Sequence, residues 1–138
     1  MSDNTQYEVK NGAMPHAANL KIKRRVIQNR KVRVAHVFTI ARLQLKRRGW
    51  DKNNNELMEA NPCSLVTIIE FACINKLSPE SDFDVQHQIV VNILNTVVKS
   101  MSRGKYNDYV EWEQNQRSEK VILRAVEYAL YGCTKNFD

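Results

Sequence analysis

Glycine and proline, the residues that sharp chain reversals most need, are scarce in this sequence. Its 138 residues include four Gly and three Pro, few for an all-β protein built on tight turns. The three cysteines, Cys63, Cys73 and Cys133, make an odd number and lie beside apolar runs. Because no secretory signal precedes them, we interpret them as reduced, partly buried thiols and not as a disulfide framework.

Long apolar segments are also missing. No run approaches the roughly 18 residues of a membrane span, and the first residues, MSDNTQYEVKNG, are polar and lack the apolar centre of a signal peptide. We therefore expect a cytoplasmic protein without a membrane partner. The length fits one domain, and we predict a flexible N-terminal arm over residues 1–19 followed by a single helical domain over 20–138.

Acidic residues are absent from one long stretch of the chain. Residues 21–48, KIKRRVIQNRKVRVAHVFTIARLQLKRR, hold eleven Lys or Arg and no Asp or Glu, whereas the remainder holds ten basic and fifteen acidic residues. The formal net charge of +6 therefore hides a strongly polarised molecule. Such a segment is solvated and attracts polyanions. It predicts a nucleic-acid-binding surface formed by Lys21, Lys23, Arg24, Arg25, Arg30, Lys31, Arg33, Arg42, Lys46, Arg47 and Arg48.

The same segment permits a plainer interpretation, in which its cations form a solvated face paired with Glu111, Glu113 or Glu119 of the same fold. Base-specific binding would need a recognition helix that carries Asn, Gln or Arg to base edges. Gln28 and Asn29 are too few to predict one, and the pattern of a helix-turn-helix is not evident. We therefore expect contacts mainly to phosphates of DNA or RNA, with little sequence preference.

Apolar spacing predicts helices along most of the chain. Residues 20–30 fit a helix or a strand, and we favour a helix. Residues 31–48 carry one apolar stripe and end in cations before Gly49, which suits a left-handed cap. Asn61 and Pro62 predict the start of a second helix, nearly apolar all round, that ends before Ser78. The two predicted stripes are Val34, Val37, Phe38, Ala41 and Leu45, and then Leu65, Ile68, Ile69, Ala72, Cys73 and Leu77.

A third helix is predicted to begin at Asp82 or Asp84 and to close at Arg103 and Gly104. Its apolar positions are Val85, Ile89, Val90, Ile93, Leu94, Val97, Val98 and Met101. A last helix is predicted after Ser118 and before Gly132, with Val121, Ile122, Ala125, Val126, Ala129 and Leu130 inside. The fold class is thus all-α, a single-domain bundle of four to five helices.

Residues 105–117 are aromatic and polar, and predict an ordered loop. Tyr106, Tyr109 and Trp112 could stack on unpaired bases. Nearby acids would repel phosphate, however, so we expect Tyr109 or Trp112 to pack on the helices instead.

No spacing typical of a metal or catalytic site is present. Cys63 and Cys73 lack the short gap of a structural zinc site, and His16, His36 and His87 lie far apart. Cys63 at a helix N-terminus would have a lowered thiol pKa if it were exposed, but the sequence places no base beside it. We predict no catalytic residue, no metal and no cofactor, and an enzyme is the weakest of three hypotheses.

The order of landmarks between residues 36 and 130 resembles an uncharacterised family of small α-helical domains from bacteria and phages. The matching features are ARLQLKRRGW (41–50), a single Cys63 at the start of an apolar helix, Trp112, and Arg117–Ser118 leading into the last helix. Glu113 follows the Trp where the family pattern has Asn. The resemblance implies a fold and a phage or mobile-element origin, which would place the protein in the host cytoplasm, and it implies no activity.

Two functional hypotheses remain in front. The first is a non-enzymatic protein that binds nucleic acid mainly through phosphate contacts. The second is an inhibitor or adaptor whose basic face docks on an acidic surface of a partner protein.

Overall fold

The computed structural model of the chain describes residues 16–58, 60–77 and 82–135, which form five helices and no β-strand. The helices are α1 (His16–Arg48), α2 (Leu65–Lys76), α3 (Phe83–Met101), α4 (Tyr109–Gln114) and α5 (Glu119–Lys135). The predicted all-α bundle of four to five helices is confirmed. The chain divides into two compact units, Met1–Arg30 and Lys31–Asp138. Of the arm predicted over residues 1–19, residues 1–15 lie outside the described part, and 16–19 begin α1.

The hydrophobic core lies in the second unit and follows the predicted stripes. In α1 the side chains of Val37, Phe38 and Ala41 are fully buried. The helix ends where the sequence indicates: Gly49 has a φ of 84° and donates its N–H to the Leu45 carbonyl at 2.9 Å. A left-handed residue at this place satisfies a carbonyl of the last helical turn.

Helix α2 begins three residues later than the Asn61–Pro62 pair predicts. Trp50 and Cys63 form an isolated parallel bridge, in which the Asp51 N–H donates to the Cys63 carbonyl at 3.1 Å. This pairing keeps the chain before α2 out of the helix, so Ser64 becomes the cap and its Oγ accepts from the Thr67 N–H at 3.2 Å. All six residues of the predicted stripe are buried, whereas Ile74, which lies outside that stripe, is 70% exposed.

Helix α3 buries only part of its predicted apolar set. Asp82 precedes its first residue, as predicted, and Val90, Leu94 and Val98 are fully buried. A second row one position earlier, formed by Ile89, Ile93, Val97 and Met101, is only partly covered. Since the core takes one stripe of the helix, the other apolar stripe remains at the surface.

Two boundaries near the C-terminus differ from the predictions. The loop predicted over residues 105–117 contains the short helix α4, whose Tyr109 and Trp112 are buried in the core as expected. Helix α5 does not end before Gly132 but runs on to Lys135. A glycine inside a helix costs only about 1 kcal/mol relative to alanine, and burial of Cys133 keeps the last turn on the core.

Among the described residues, no helix is both long enough and apolar enough to cross a membrane.

Candidate nucleic-acid interface

Among the side chains of the first unit that the structure describes, three are exposed cations on α1. The side chains of Lys23, Arg24 and Arg25 are exposed, and within the described ranges none of them forms an ion pair or a hydrogen bond. Arg30 is half-buried, and the side chain of Lys21 lies outside the described part. Three adjacent, unpaired cations are suited to contact with phosphates.

The second unit carries exposed cations at both ends of its part of α1. Lys31 lies at the beginning, with half-buried Arg33 beside it, and Lys46 and Arg47 lie in the last turn. Between Arg33 and Arg42 the helix has no Lys or Arg, a gap of about 13 Å at 1.5 Å per residue. The basic surface of this unit is therefore two clusters and not a continuous face.

Among the predicted contact residues, Arg42 and Arg48 are engaged in hydrogen bonds within the fold. Arg42 donates through Nε to Glu127 Oε2 at 3.1 Å, which joins α1 to α5. Arg48 donates through Nε to Gln44 Oε1 at 2.9 Å and lies 3.4 Å from the carbonyls of Met58 and Asn61. These two guanidinium groups are therefore occupied by contacts within the fold and are less available to a ligand than the exposed cations Lys46 and Arg47.

The acids that the sequence offered as partners of the basic segment have other roles. Glu119 Oε1 accepts the Trp50 backbone N–H at 3.1 Å, Glu111 is exposed, and Glu113 is fully buried. Arg42 of the segment pairs instead with Glu127, 85 residues away along the chain. No local pattern predicts a contact across that separation.

Glu113 is the buried carboxylate that sequence reasoning missed. Its Oε2 accepts from the Trp50 indole Nε1–H at 2.7 Å and from the Leu65 N–H at 2.5 Å, and its Oε1 accepts from the Val66 N–H at 3.3 Å. Both oxygens are thus occupied by donors, two of which are the otherwise unpaired N–H groups that open α2. Such an arrangement holds a helix terminus in place.

The part of α1 that belongs to the second unit also exposes apolar side chains beside its cations. Val32 is 37% exposed and Leu43 is 47% exposed, and His36 lies exposed between them. Apolar groups add nothing to a phosphate contact. The exposure of these side chains therefore favours a protein partner for the same helix.

The cysteines are free and buried. Burial raises the pKa of the Cys73 thiol to about 12 and that of Cys133 to about 11. Burial also raises the pKa of Cys63, against the lowering effect of the Arg48 charge. The condition under which Cys63 would be acidified, exposure at a helix N-terminus, is not met, and none of the three thiols has the environment of a nucleophile.

The histidines do not form a metal or catalytic cluster in the described ranges. His87 Nε2 lies 2.7 Å from Glu70 Oε2, and its ring stacks on Phe83 with centroids 5.9 Å apart. His36 is exposed, consistent with a boundary position. The residues that the structure describes include no group of three or more His, Cys, Asp or Glu side chains that could hold a metal ion.

No protein-family model matches the chain, and neither a curated protein nor a solved structure shows significant similarity to it. The resemblance to small helical domains of bacteria and phages stays a prediction.

Proposed function

We propose that this protein binds nucleic acid, DNA or RNA, through contacts of α1 cations with phosphates. The observation that carries the proposal is the acid-free segment of eleven cations, of which Lys23, Arg24, Arg25, Lys46 and Arg47 are exposed and lack ion-pair partners in the described part of the chain. Phosphates would replace water and counterions around these groups. Release of the counterions that DNA or RNA condenses would drive binding.

Binding of this kind is sequence-independent and weakens steeply with salt. Each duplex phosphate contact contributes about 0.9 to the slope of log affinity against log salt. The exposed cations lie on a helix that does not belong to a recognition motif, so we expect them to contact phosphates and not base edges. The protein would act in the cytoplasm, or in the host cytoplasm if it is phage-encoded.

The proposal is tested by fluorescence anisotropy on short duplex and single-stranded probes over a series of salt concentrations. One variant replaces Lys23, Arg24 and Arg25 by Gln. A matched control removes three exposed cations outside α1, Lys76, Lys99 and Arg117, so that the net charge changes equally.

The α1 variant should weaken binding to all sequences alike, and should make the salt slope shallower by up to about 2.7 if all three side chains contact a duplex. The control should keep the slope of the parent. A parent that ignores both probes at low salt would refute the function. Parental binding that the α1 variant and the control weaken equally would refute the placement of the site.

The alternative, an inhibitor or adaptor that docks on an acidic protein, is favoured by the exposed Val32 and Leu43. A Leu43→Ser variant distinguishes this protein-binding function from nucleic-acid binding. Loss of an apolar anchor would weaken a protein complex by roughly 1 kcal/mol or more, whereas phosphate contacts would be unchanged.

A further inference from the structure

A groove runs along the surface between α3 and α5. Two neighbouring cavities of about 600 and 380 Å³ share the lining residues Thr96, Val97 and Tyr128, so they form one continuous depression. It extends from Ile89 to Met101 on α3, a distance of about 18 Å at 1.5 Å per residue. That length corresponds to about three turns of a helix laid beside it.

The floor of the groove is mainly apolar, and a polar row of α3 formed by Asn92, Thr96 and Ser100 lies along it. The apolar part is formed by the half-buried row of α3, in which Ile89, Ile93, Val97 and Met101 recur every fourth residue. Opposite them lie Ala129 and Gly132 of α5. A stripe with this period leaves apolar surface that is complementary to the apolar face of another helix.

The rim of the groove carries the residue types that dominate protein interfaces. Tyr128 lines the groove and is 52% exposed, and Arg124, one turn before it, lines the groove as well. Tyr and Arg are enriched where binding energy is concentrated, since each combines a large contact area with a polar group.

The charge of the groove is positive. Arg124 lines it and is exposed, none of the described residues that line it is acidic, and no acidic residue occurs on α3 between Ile89 and Met101. The acidic residue of α5 in this stretch, Glu127, is paired with Arg42. An apolar floor with a cationic rim is complementary to a helix whose apolar face is flanked by carboxylates.

We propose that the groove between α3 and α5 binds an acidic amphipathic helix of a partner protein. The apolar face of that helix would cover Ile93 and Val97, and a carboxylate on its edge would meet Arg124. An unpaired base would stack on Tyr128, but it would leave the apolar floor uncovered. This inference does not depend on nucleic-acid binding by α1.

Gly132 provides a way to block the groove without disturbing the fold. A Cβ built on Gly132 meets no atom within 4 Å, and the residue lies inside α5. A Gly132→Leu side chain would therefore extend into the groove, and both Leu and Ala raise helix propensity by up to about 1 kcal/mol over glycine. Gly132→Ala is the matched control, because it changes the backbone preference but adds only a methyl group.

The probe is a fluorescein-labelled synthetic helix of about 16 residues, long enough to cover the groove, with Leu at every third or fourth position and Glu elsewhere. A second peptide has Lys in place of Glu. By anisotropy, the acidic peptide should bind the parent and Gly132→Ala alike, and should bind Gly132→Leu at least about tenfold more weakly. Arg124→Glu should weaken the acidic peptide and strengthen the basic one.

Three results would overturn the proposal. One is an acidic peptide that binds Gly132→Leu and the parent equally, and another is an acidic peptide that fails to bind the parent. The third is that Gly132→Leu instead removes binding of a single-stranded oligonucleotide, or removes self-association in analytical ultracentrifugation. A melting temperature of Gly132→Leu at or above that of the parent would show that the blocked protein is folded.

Discussion

Removal of the Glu113 carboxylate should be among the most destabilising changes possible outside the apolar core. A Glu113→Ala substitution leaves three donors without their acceptor: the Trp50 indole N–H and the backbone N–H groups of Leu65 and Val66. It also removes a negative charge from the positive end of the α2 dipole.

The size of the effect follows from the contacts. A hydrogen bond to a charged group is worth about 1.5–3 kcal/mol. Leu65 is fully buried, so its amide has little access to water after the change, whereas Val66 and Trp50 are partly exposed and are rehydrated in part. Because the three contacts share one carboxylate they are not additive, and we expect a loss of about 4 kcal/mol. That is a large part of the roughly 5–15 kcal/mol that stabilises a domain.

Two further variants separate the causes. Glu113→Gln keeps one acceptor oxygen but turns an NH₂ group toward an N–H donor, so it should cost about 2–3 kcal/mol. Glu111→Ala, an exposed acid on the same short helix, is the control and should change stability by no more than about 0.5 kcal/mol.

Urea denaturation followed by far-ultraviolet circular dichroism measures these differences, and the NMR signal of the Trp50 indole N–H reports the contact directly. A Glu113→Ala protein within about 1 kcal/mol of the parent, with its native spectrum intact, would refute the assignment of Glu113 as the acceptor that stabilises the start of α2.

Three other perturbations have defined outcomes. Ile68→Asp places a charge at a fully buried site and should unfold the protein, while Ile74→Asp on the exposed end of the same helix should cost less than about 1 kcal/mol; circular dichroism with equal secondary structure for both would contradict the burial. Gly49→Ala should cost roughly 1–2 kcal/mol by urea titration, because φ is 84° and the added Cβ lies 3.3 Å from a carboxylate oxygen, and a neutral effect would contradict the left-handed cap. Burial raises the pKa of Cys73 to about 12 and of Cys133 to about 11 from an ordinary 9.0, so the folded state favours the neutral thiols. Their contribution to stability is complete below about pH 9 and should be lost as the pH rises above it. Denaturation midpoints that stay level through this range in the parent, or that fall equally when both cysteines are replaced by Ala, would count against this pH dependence.

The helices were predictable because their signals are local. The apolar spacing of Val34, Phe38 and Ala41 identifies the buried stripe of α1, since residues three and four apart share a helix face. The caps were predictable only where nothing distant competes. Gly49 ends α1 as its type indicates, whereas Pro62 does not start α2 because the chain beside it pairs with residues near Trp50.

The residues of the candidate site were predictable from the sequence, but which of them are free to contact a ligand was not. An acid-free run of cations indicates polyanion binding from sequence alone, but the loss of Arg42 to an ion pair depends on Glu127, which α5 brings close from 85 residues away. The Glu113 contacts with Trp50 and Leu65 span 63 and 48 residues. Such contacts depend on tertiary packing, which helical periodicity does not predict.

The two apolar rows of α3 are subject to different constraints on sequence change. Volume and shape inside the core restrict Val90, Leu94 and Val98, which touch only the rest of the fold. The adjoining row beginning at Ile89 packs against that core on one side and is partly open to water on the other, so folding alone constrains it less strictly. Selection on the two rows would therefore differ, acting on the first for the stability of the domain and on the second also for what meets its surface.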